Sequence, residues 1–317
     1  MADELRADVA LTNLDAPLFD GAGAVKRDLV DYLDAAAPLM LPELADRPLS
    51  VIRVLRGQPP FMQKNLPKYT PEWVPRVGVW SEASKREIAY ALCNDRRTLL
   101  WFANQRAIEY HPTLFRAADG WDAPTWLVLD IDPPEGGAFG LAVAAAQLVR
   151  QVLAEAGLAG AVKTSGAKGV HVFVPVRDAA TEAVAAATRA LAARAERLDP
   201  ALATTAFVRE ERHGKVFLDS TRAGGATVAA AYSPRVRPGA PVSWPVPWAE
   251  LDAVTPAEFT VRTAVPLLRS APSWASLVPA PQPLPADLVE EGRAIPVARV
   301  QAMHEGKRRA RARRSGG

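Results

Sequence analysis

Two aspartates close an apolar strand in "WLVLDIDPPEG" (126–136). Side chains alternate across a strand, so Asp130 and Asp132 share one face while Leu127, Leu129 and Ile131 share the other. The carboxylates then lie roughly 7 Å apart along the chain. Anions that close raise each other's pKa, and a cation between them relieves the repulsion. Oxygen ligands of this kind suit Mg²⁺ or Mn²⁺ in phosphoryl or nucleotidyl transfer. The plainer alternative is a pair of acids capping a turn, since Pro133 and Pro134 end the ladder at once.

Four other stretches have chemistry of the same kind. In "KTSGAKGVHV" (163–172), Gly166 and Gly169 permit a tight turn with backbone N–H groups aimed at an anion. Ser165 and Lys168 add a hydroxyl and a cation to that turn, and His171 follows it on the face opposite the valines. "RHGKVFLD" (212–219) ends a second apolar strand on Asp219, with Arg212 seven positions earlier. "YSPRVRP" (232–238) offers Arg235 and Arg237 as a phosphate clamp. "IEYHP" (108–112) holds His111 extended before a proline. Each stretch alone has an ordinary reading, as a hairpin, a surface acid, a solvated turn or a structural histidine. Their ordered combination supplies the parts of a two-metal nucleotidyl transferase.

The elements that must position these residues follow from periodicity. Helical spacing predicts helices over 24–41, 81–94 (with Ser81 as cap), 139–157 (closed by Gly157) and 179–200. Strands are predicted over 47–55, within 159–176 as a pair around the glycine turn, over 215–219 and over 226–232. Residues 56–75 read as a proline-rich exposed connection with interleaved aromatic and basic residues. From 234 onward the chain is proline-rich, with short helices near 247–253 and 256–270. Irregular alternation with closely spaced strands points to mixed α/β with largely antiparallel sheets.

Composition narrows the class. The chain has 317 residues, 49% of them hydrophobic, enough for a substantial core. A single cysteine, Cys93, excludes an internal disulfide and a cysteine-rich zinc site. The opening "MADELRADVA" is acidic and polar, unlike a secretory signal, and no apolar run is long enough to span a bilayer. A soluble cytoplasmic protein is expected. The net charge of +3 misleads, because "KRRARARR" (307–314) holds six basic residues and leaves the remainder at −3. Nucleic-acid binding by the folded part must therefore rest on a local patch. Residues 304–317 read as a disordered basic tail.

Taken together, these stretches resemble the polymerase domain of bacterial ATP-dependent DNA ligase D, in the archaeo-eukaryotic primase superfamily. "FMQKNLPKYTPEWV", "IEYHP", "WLVLDIDP", "KTSGAKGVHVFVPV", "GKVFLD" and "YSPRVRPGAPVS" occur in the family's order. The resemblance implies a primase-type catalytic core with an RNA-recognition-motif-like sheet flanked by helices. A single domain over 1–303 is expected, with a DNA-binding portion over about 1–120, a catalytic core over about 121–270 and a tail over 304–317. It implies Asp130, Asp132 and Asp219 as ligands of two Mn²⁺ or Mg²⁺ ions. His111, Ser165, Lys168, Arg212 and Arg235 fall at triphosphate contacts, and His171 matches a motif position. Lys26, Arg53, Phe61, Gln63 and Lys64 are the DNA-facing candidates.

The activity implied is templated addition of NTPs or dNTPs, with ribonucleotides preferred, to a primer 3′-hydroxyl. The setting implied is gap filling at broken or gapped DNA, beside Ku and a DNA ligase acting in trans. A monomer associated with the nucleoid is expected. Other readings are a primase or lesion-tolerance polymerase that starts strands, a non-catalytic DNA-end-binding partner of Ku and ligase, and a metal-dependent nuclease. The "SGAKG" turn argues against the nuclease, and the intact acids argue against a binder without catalysis. The family often has Lys where this chain has Ala16, and two aromatics where it has Phe61-Met62. Those departures weaken the expected grip on a downstream 5′-phosphate and the stacking platform for template bases.

Overall fold

The structure, a computed structural model, describes residues 3–81, 85–223 and 227–297. The basic segment 304–317 lies outside the described residues. The chain begins with a short hairpin, β1 (Glu4–Arg6) and β2 (Val9–Leu11), followed by helix α1 (Lys26–Leu44). A first sheet comprises β3 (Pro48–Arg53), β4 (Phe61–Gln63), β5 (Arg76–Ser81), β6 (Arg86–Leu92) and β7 (Ala107–Pro112), with α2 (Arg96–Asn104) before β7. One edge of β3 pairs with β7; its other edge pairs with β6 near its start and with β4 near its end.

The second sheet has six strands in the order β11-β12-β8-β10-β9-β13. These are β8 (Trp126–Asp132), β9 (Ala161–Thr164), β10 (Val170–Pro175), β11 (Ala203–Thr204), β12 (Val216–Asp219) and β13 (Pro245–Val246). Only β11 and β12 run parallel. Helices α3 (Phe139–Glu155) and α4 (Thr181–Leu198) lie between these strands in sequence, and α5 (Trp274–Leu277) and α6 (Ala286–Ala294) close the described chain. The mixed, largely antiparallel α/β class is as expected. Among the described residues no helix is long and apolar enough to cross a membrane.

Alternation along the central strands decides which face does chemistry. Leu127, Leu129 and Ile131 of β8, with Val170, Val172 and Val174 of β10, enter a core shared with α3 and α4. Each fully buried Val or Leu there contributes about 1.5–3 kcal/mol. Trp126, Val128 and Phe173, on the opposite face, join a different core with Val51 of β3 and Tyr110 of β7. The face bearing Asp130 and His171 is therefore the one turned toward the first sheet.

Three sequence expectations need correction. The described part of the stretch 81–94 is not a helix: β5 and β6 pair antiparallel, with Trp80 opposite Glu87 and Ser81 opposite Arg86. Val77, Val79, Ile88 and Tyr90 favour that pairing, and it overrides the helix preference of Arg86, Glu87 and Ala89. Helix α2 begins just after it, where the Asp95 side chain accepts from Thr98 N at 2.7 Å. The expected strand over 226–232 is irregular in its described part. It lies along β7, with a bridge from Thr227 to Thr113 and a 2.9 Å bond from Ala230 N to Tyr110 O, then turns at Tyr232. The proline-rich connection 56–75 contains β4, a strand the sequence reading did not anticipate.

Candidate active site

Strand register brings two acids together. Asp219 of β12 stands directly opposite Asp130 of β8. Between their carboxylates lies the guanidinium of Arg222, with Nη2 at 2.5 Å from Asp130 Oδ2 and 3.0 Å from Asp219 Oδ2. The second Asp219 oxygen accepts from Thr221 N at 2.8 Å and Thr221 Oγ1 at 2.6 Å. Burial alone would raise the Asp130 carboxyl, but His171 and Arg222 more than offset it and hold the group well below the usual range. Asp132 shifts upward, because burial and the charges of Asp130 and Asp219 outweigh the pull of Lys168 and Arg222.

His171 is the second support of Asp130. Its Nε2 lies 3.3 Å from Asp130 Oδ1, and its Nδ1 lies 2.7 Å from Lys163 Nζ. Lys163 is fully buried and also donates to Ser243 Oγ at 2.6 Å; Ser243 in turn donates to Thr164 O at 2.7 Å. Burial and the neighbouring Lys163 lower His171 to about 4, so it is neutral near pH 7. Lys163 therefore selects one tautomer, with Nδ1 accepting and Nε2–H directed at Asp130.

The glycine turn sits across the mouth of these strands. A Cβ on Gly169 would come within 2.3 Å of Ile131 O, and Gly166 has φ +69 with its Cα facing Arg235 and Ser243. Both positions demand glycine, one for close approach and one for backbone conformation. The sequence offers every N–H of this turn to an anion. The structure shows two of them already taken, since Ala167 N and Gly169 N donate to Ser165 Oγ at 3.2 and 3.1 Å. Lys168 donates to Pro133 O at 2.7 Å, beside Asp132.

Arg235 reaches the turn from the far side. It donates to Ser165 O, and its Nε donates to Glu109 Oε2 at 3.0 Å. Glu109 also accepts from His111 Nε2 at 2.8 Å and from Val236 N at 2.8 Å. Burial would raise the Glu109 carboxyl, but His111, Arg235 and Val236 N bring it down to about 2. Asp130, Asp132, Ser165, Lys168, His171 and Arg235 all line one cleft of about 620 Å³, together with Arg222 and Arg237. His111 joins the cleft only through Glu109. Arg212 is held at the end of a short 3-10 helix (Arg209–Arg212) before β12, donating to Ala206 O and Phe207 O at 3.1 and 3.0 Å and lying 3.6 Å over the Phe217 ring.

The DNA-facing candidates separate into two groups. Phe61 (37% exposed), Met62 (44%) and Tyr69 (60%) are open on and beside β4, as is Lys64. Arg53 is buried, and its guanidinium holds Gln63 Oε1 at 2.7 Å, Tyr69 OH at 2.8 Å and Gln105 O at 2.8 Å. It braces the patch from beneath. Lys26 corrects the sequence reading. Only 3% exposed, it donates to Thr12 O and Asn104 Oδ1, each at 2.6 Å, and has no ammonium at the surface to meet a phosphate. Burial and Arg106 lower it to about 8.

Three residues in the site escaped the sequence reading. Arg222 lies three positions after Asp219, within reach of the same strand end. Lys163 stands opposite His171 in the β9–β10 pairing. Glu109 shares a strand face with His111, two residues on. Hard carboxylate oxygens from Asp130, Asp132 and Asp219, gathered at the ends of two paired strands, fit a divalent cation. Among the described residues, however, no three His, Cys, Asp or Glu side chains form a ready metal cage.

A largely antiparallel sheet with acids at the ends of two adjacent strands, faced by a basic glycine turn, is the arrangement that the resemblance to the primase-polymerase class implies. Comparison with known proteins agrees. Residues 25–274 match the family described as "LigD, primase-polymerase domain", and the chain belongs to that family. It is 35% identical over 255 residues to the multifunctional non-homologous end joining protein LigD of Mycobacterium bovis, covering 77% of this chain and 33% of that protein. It is 32% identical over 260 residues to the bifunctional LigD of Bacillus subtilis, covering 80% and 41%. The chain thus spans between a third and about two-fifths of the length of these relatives. A solved structure described as the polymerase domain of Mycobacterium tuberculosis ligase D in complex with DNA superposes with a TM-score of 0.76 at 32% identity, over 84% of this chain and 96% of that one.

Proposed function

We propose that the chain adds nucleotides to a primer 3′-hydroxyl under the direction of a template strand, in gap filling during non-homologous end joining. The observation that supports this most is the meeting of Asp130 and Asp132 with a basic glycine turn in one cleft, with Asp219 paired opposite Asp130. In this reading Asp130, Asp132 and Asp219 hold Mn²⁺ or Mg²⁺. Such ions, when bound, ease deprotonation of the 3′-hydroxyl and neutralise charge on the α-phosphate and departing pyrophosphate. Lys168 and Arg235 bind the triphosphate, Arg235 being oriented by Glu109. Ser165 keeps the turn closed, and His171 keeps one Asp130 oxygen directed. His111 acts on the nucleotide site through Glu109 and Arg235, and Arg212 supports the strand that bears Asp219.

The exposed patch of Phe61, Met62, Lys64 and Tyr69 receives the DNA, with Gln63 held in place by Arg53. Ribonucleotide preference, action as a monomer near the nucleoid, and cooperation with Ku and a ligase belong to the same proposal, as does a single polymerase domain over 1–303. Extension of a primer across a short gap tests it, with NTPs and dNTPs in parallel and with the downstream strand bearing either a 5′-phosphate or a 5′-hydroxyl. Templated extension that favours NTPs is expected, with only a modest 5′-phosphate preference given Ala16. Absence of templated addition on any gap would overturn the reading.

A further inference from the structure

We propose that Arg222 is a resident counter-cation of the acidic site, which a divalent ion must expel in order to bind. The inference rests on the reading of Asp130, Asp132 and Asp219 as metal ligands. All four carboxylate oxygens of Asp130 and Asp219 already meet protein donors. His171 Nε2 and Arg222 Nη2 serve Asp130; Thr221 and Arg222 Nη2 serve Asp219. An ion entering between the two acids has to take an oxygen from one of these donors.

The donors differ in how firmly they are held. Thr221 bonds through its own backbone N–H as well as its hydroxyl. His171 is buried and fixed from behind by Lys163, itself fixed by Ser243. Arg222 is 32% exposed and lines the open cleft. A single nitrogen serves both acids, and among the described residues its buried Nε has no hydrogen-bond partner. That is weaker than the paired fork with which arginine holds a carboxylate best. One positive charge also neutralises three acids less completely than a divalent ion does. Arg222 is therefore the donor that gives way. It keeps the acids from repelling one another before the ion arrives, and it sets a threshold that the ion must exceed.

The test is Mn²⁺ binding to the nucleotide-free full chain, read from loss of the free-ion electron paramagnetic resonance signal, in wild type, Arg222→Gln and Asp130→Asn. Loss of a competing unit charge at contact distance should tighten Mn²⁺ binding to Arg222→Gln by about tenfold or more. Asp130→Asn should lose most of the binding. A second measurement uses wild type alone: phenylglyoxal labelling of Arg222, followed by peptide mass spectrometry, should increase when Mn²⁺ is added. Unchanged or weaker Mn²⁺ affinity in a folded Arg222→Gln would overturn the proposal, as would labelling that stays level or falls. If Arg222→Gln does not fold, the labelling result decides. If neither wild type nor Arg222→Gln binds Mn²⁺, the metal reading fails and the proposal falls with it. Binding that needs Asp130 but ignores Arg222 defeats the proposal alone.

Discussion

Asp219 and Asp130 stand directly opposite each other on β12 and β8, although 89 positions separate them in the chain. Antiparallel pairing places both carboxylates on the face turned toward the first sheet. That relationship turns two unremarkable strand-end acids into one site. It also makes the site depend on register, since a slip of β12 by one residue would send Asp219 toward the helix-side core and leave Asp130 unmatched.

Lys168→Ala and Arg235→Ala should raise the KM for nucleotide more than the Kd for DNA, because both cations line the cleft and neither lies on the β4 patch. Loss of a charge-assisted contact of this kind corresponds to about 1.5–3 kcal/mol, or roughly 10- to 150-fold in KM. Arg235→Ala should also lower the melting temperature, since it strips Glu109 of a buried partner; Lys168→Ala should not. Steady-state kinetics with a DNA-binding titration checks this. A fall in DNA affinity at constant nucleotide KM would reverse the assignment.

Glu109 gives the fold an acid-sensitive clamp. Its carboxyl lies at about 2 in the folded chain against an ordinary 4.5. Between those values the unfolded chain binds the proton and the folded chain does not, so stability falls as pH drops through the window and is fully present above it. The shift corresponds to about 3 kcal/mol. Melting curves from pH 6 down to pH 2 should show Glu109→Gln less stable than wild type at neutral pH, with the two converging toward acid. Parallel curves would place the stabilisation elsewhere.

Lys26 and Lys64 should behave in opposite ways. Lys26→Ala leaves Thr12 O and Asn104 Oδ1 without their shared donor and should reduce stability by about 1–3 kcal/mol, with DNA affinity per folded molecule unchanged. Lys64→Ala should leave the melting temperature alone and weaken DNA binding with a shallower salt dependence. Thermal melts and salt-titrated binding separate the two. A Lys26 variant of normal stability that binds DNA poorly would restore it as a surface contact.

Much of the site was legible because its chemistry is local. Alternation in "WLVLDIDP" and "GVHVFVPV" fixed which residues face the core. The glycines of "SGAKG" marked the turn that approaches Ile131 O. Arg222, Lys163 and Glu109 were not legible as site residues. Their partners, Asp130, His171 and Arg235, lie across strand pairs or far along the chain, and spacing says nothing of such contacts. Lys26, a DNA-facing candidate by family resemblance, is covered by the N-terminal segment, a long-range contact that its place at the start of a helix does not reveal. The 81–94 stretch shows the same limit in secondary structure. Its local helix preference lost to cross-strand pairing with β5, most of which precedes the stretch.

Primer extension on a gapped duplex with Mn²⁺, comparing wild type with Asp130→Asn and Asp219→Asn, tests the central claim most directly. The account predicts templated addition by wild type and a loss of at least about a thousandfold in either variant, each of which removes a ligand charge from the reacting centre. Both variants should remain folded by circular dichroism. Near-normal extension by both folded variants would contradict the account and remove the β8–β12 acids from the chemistry.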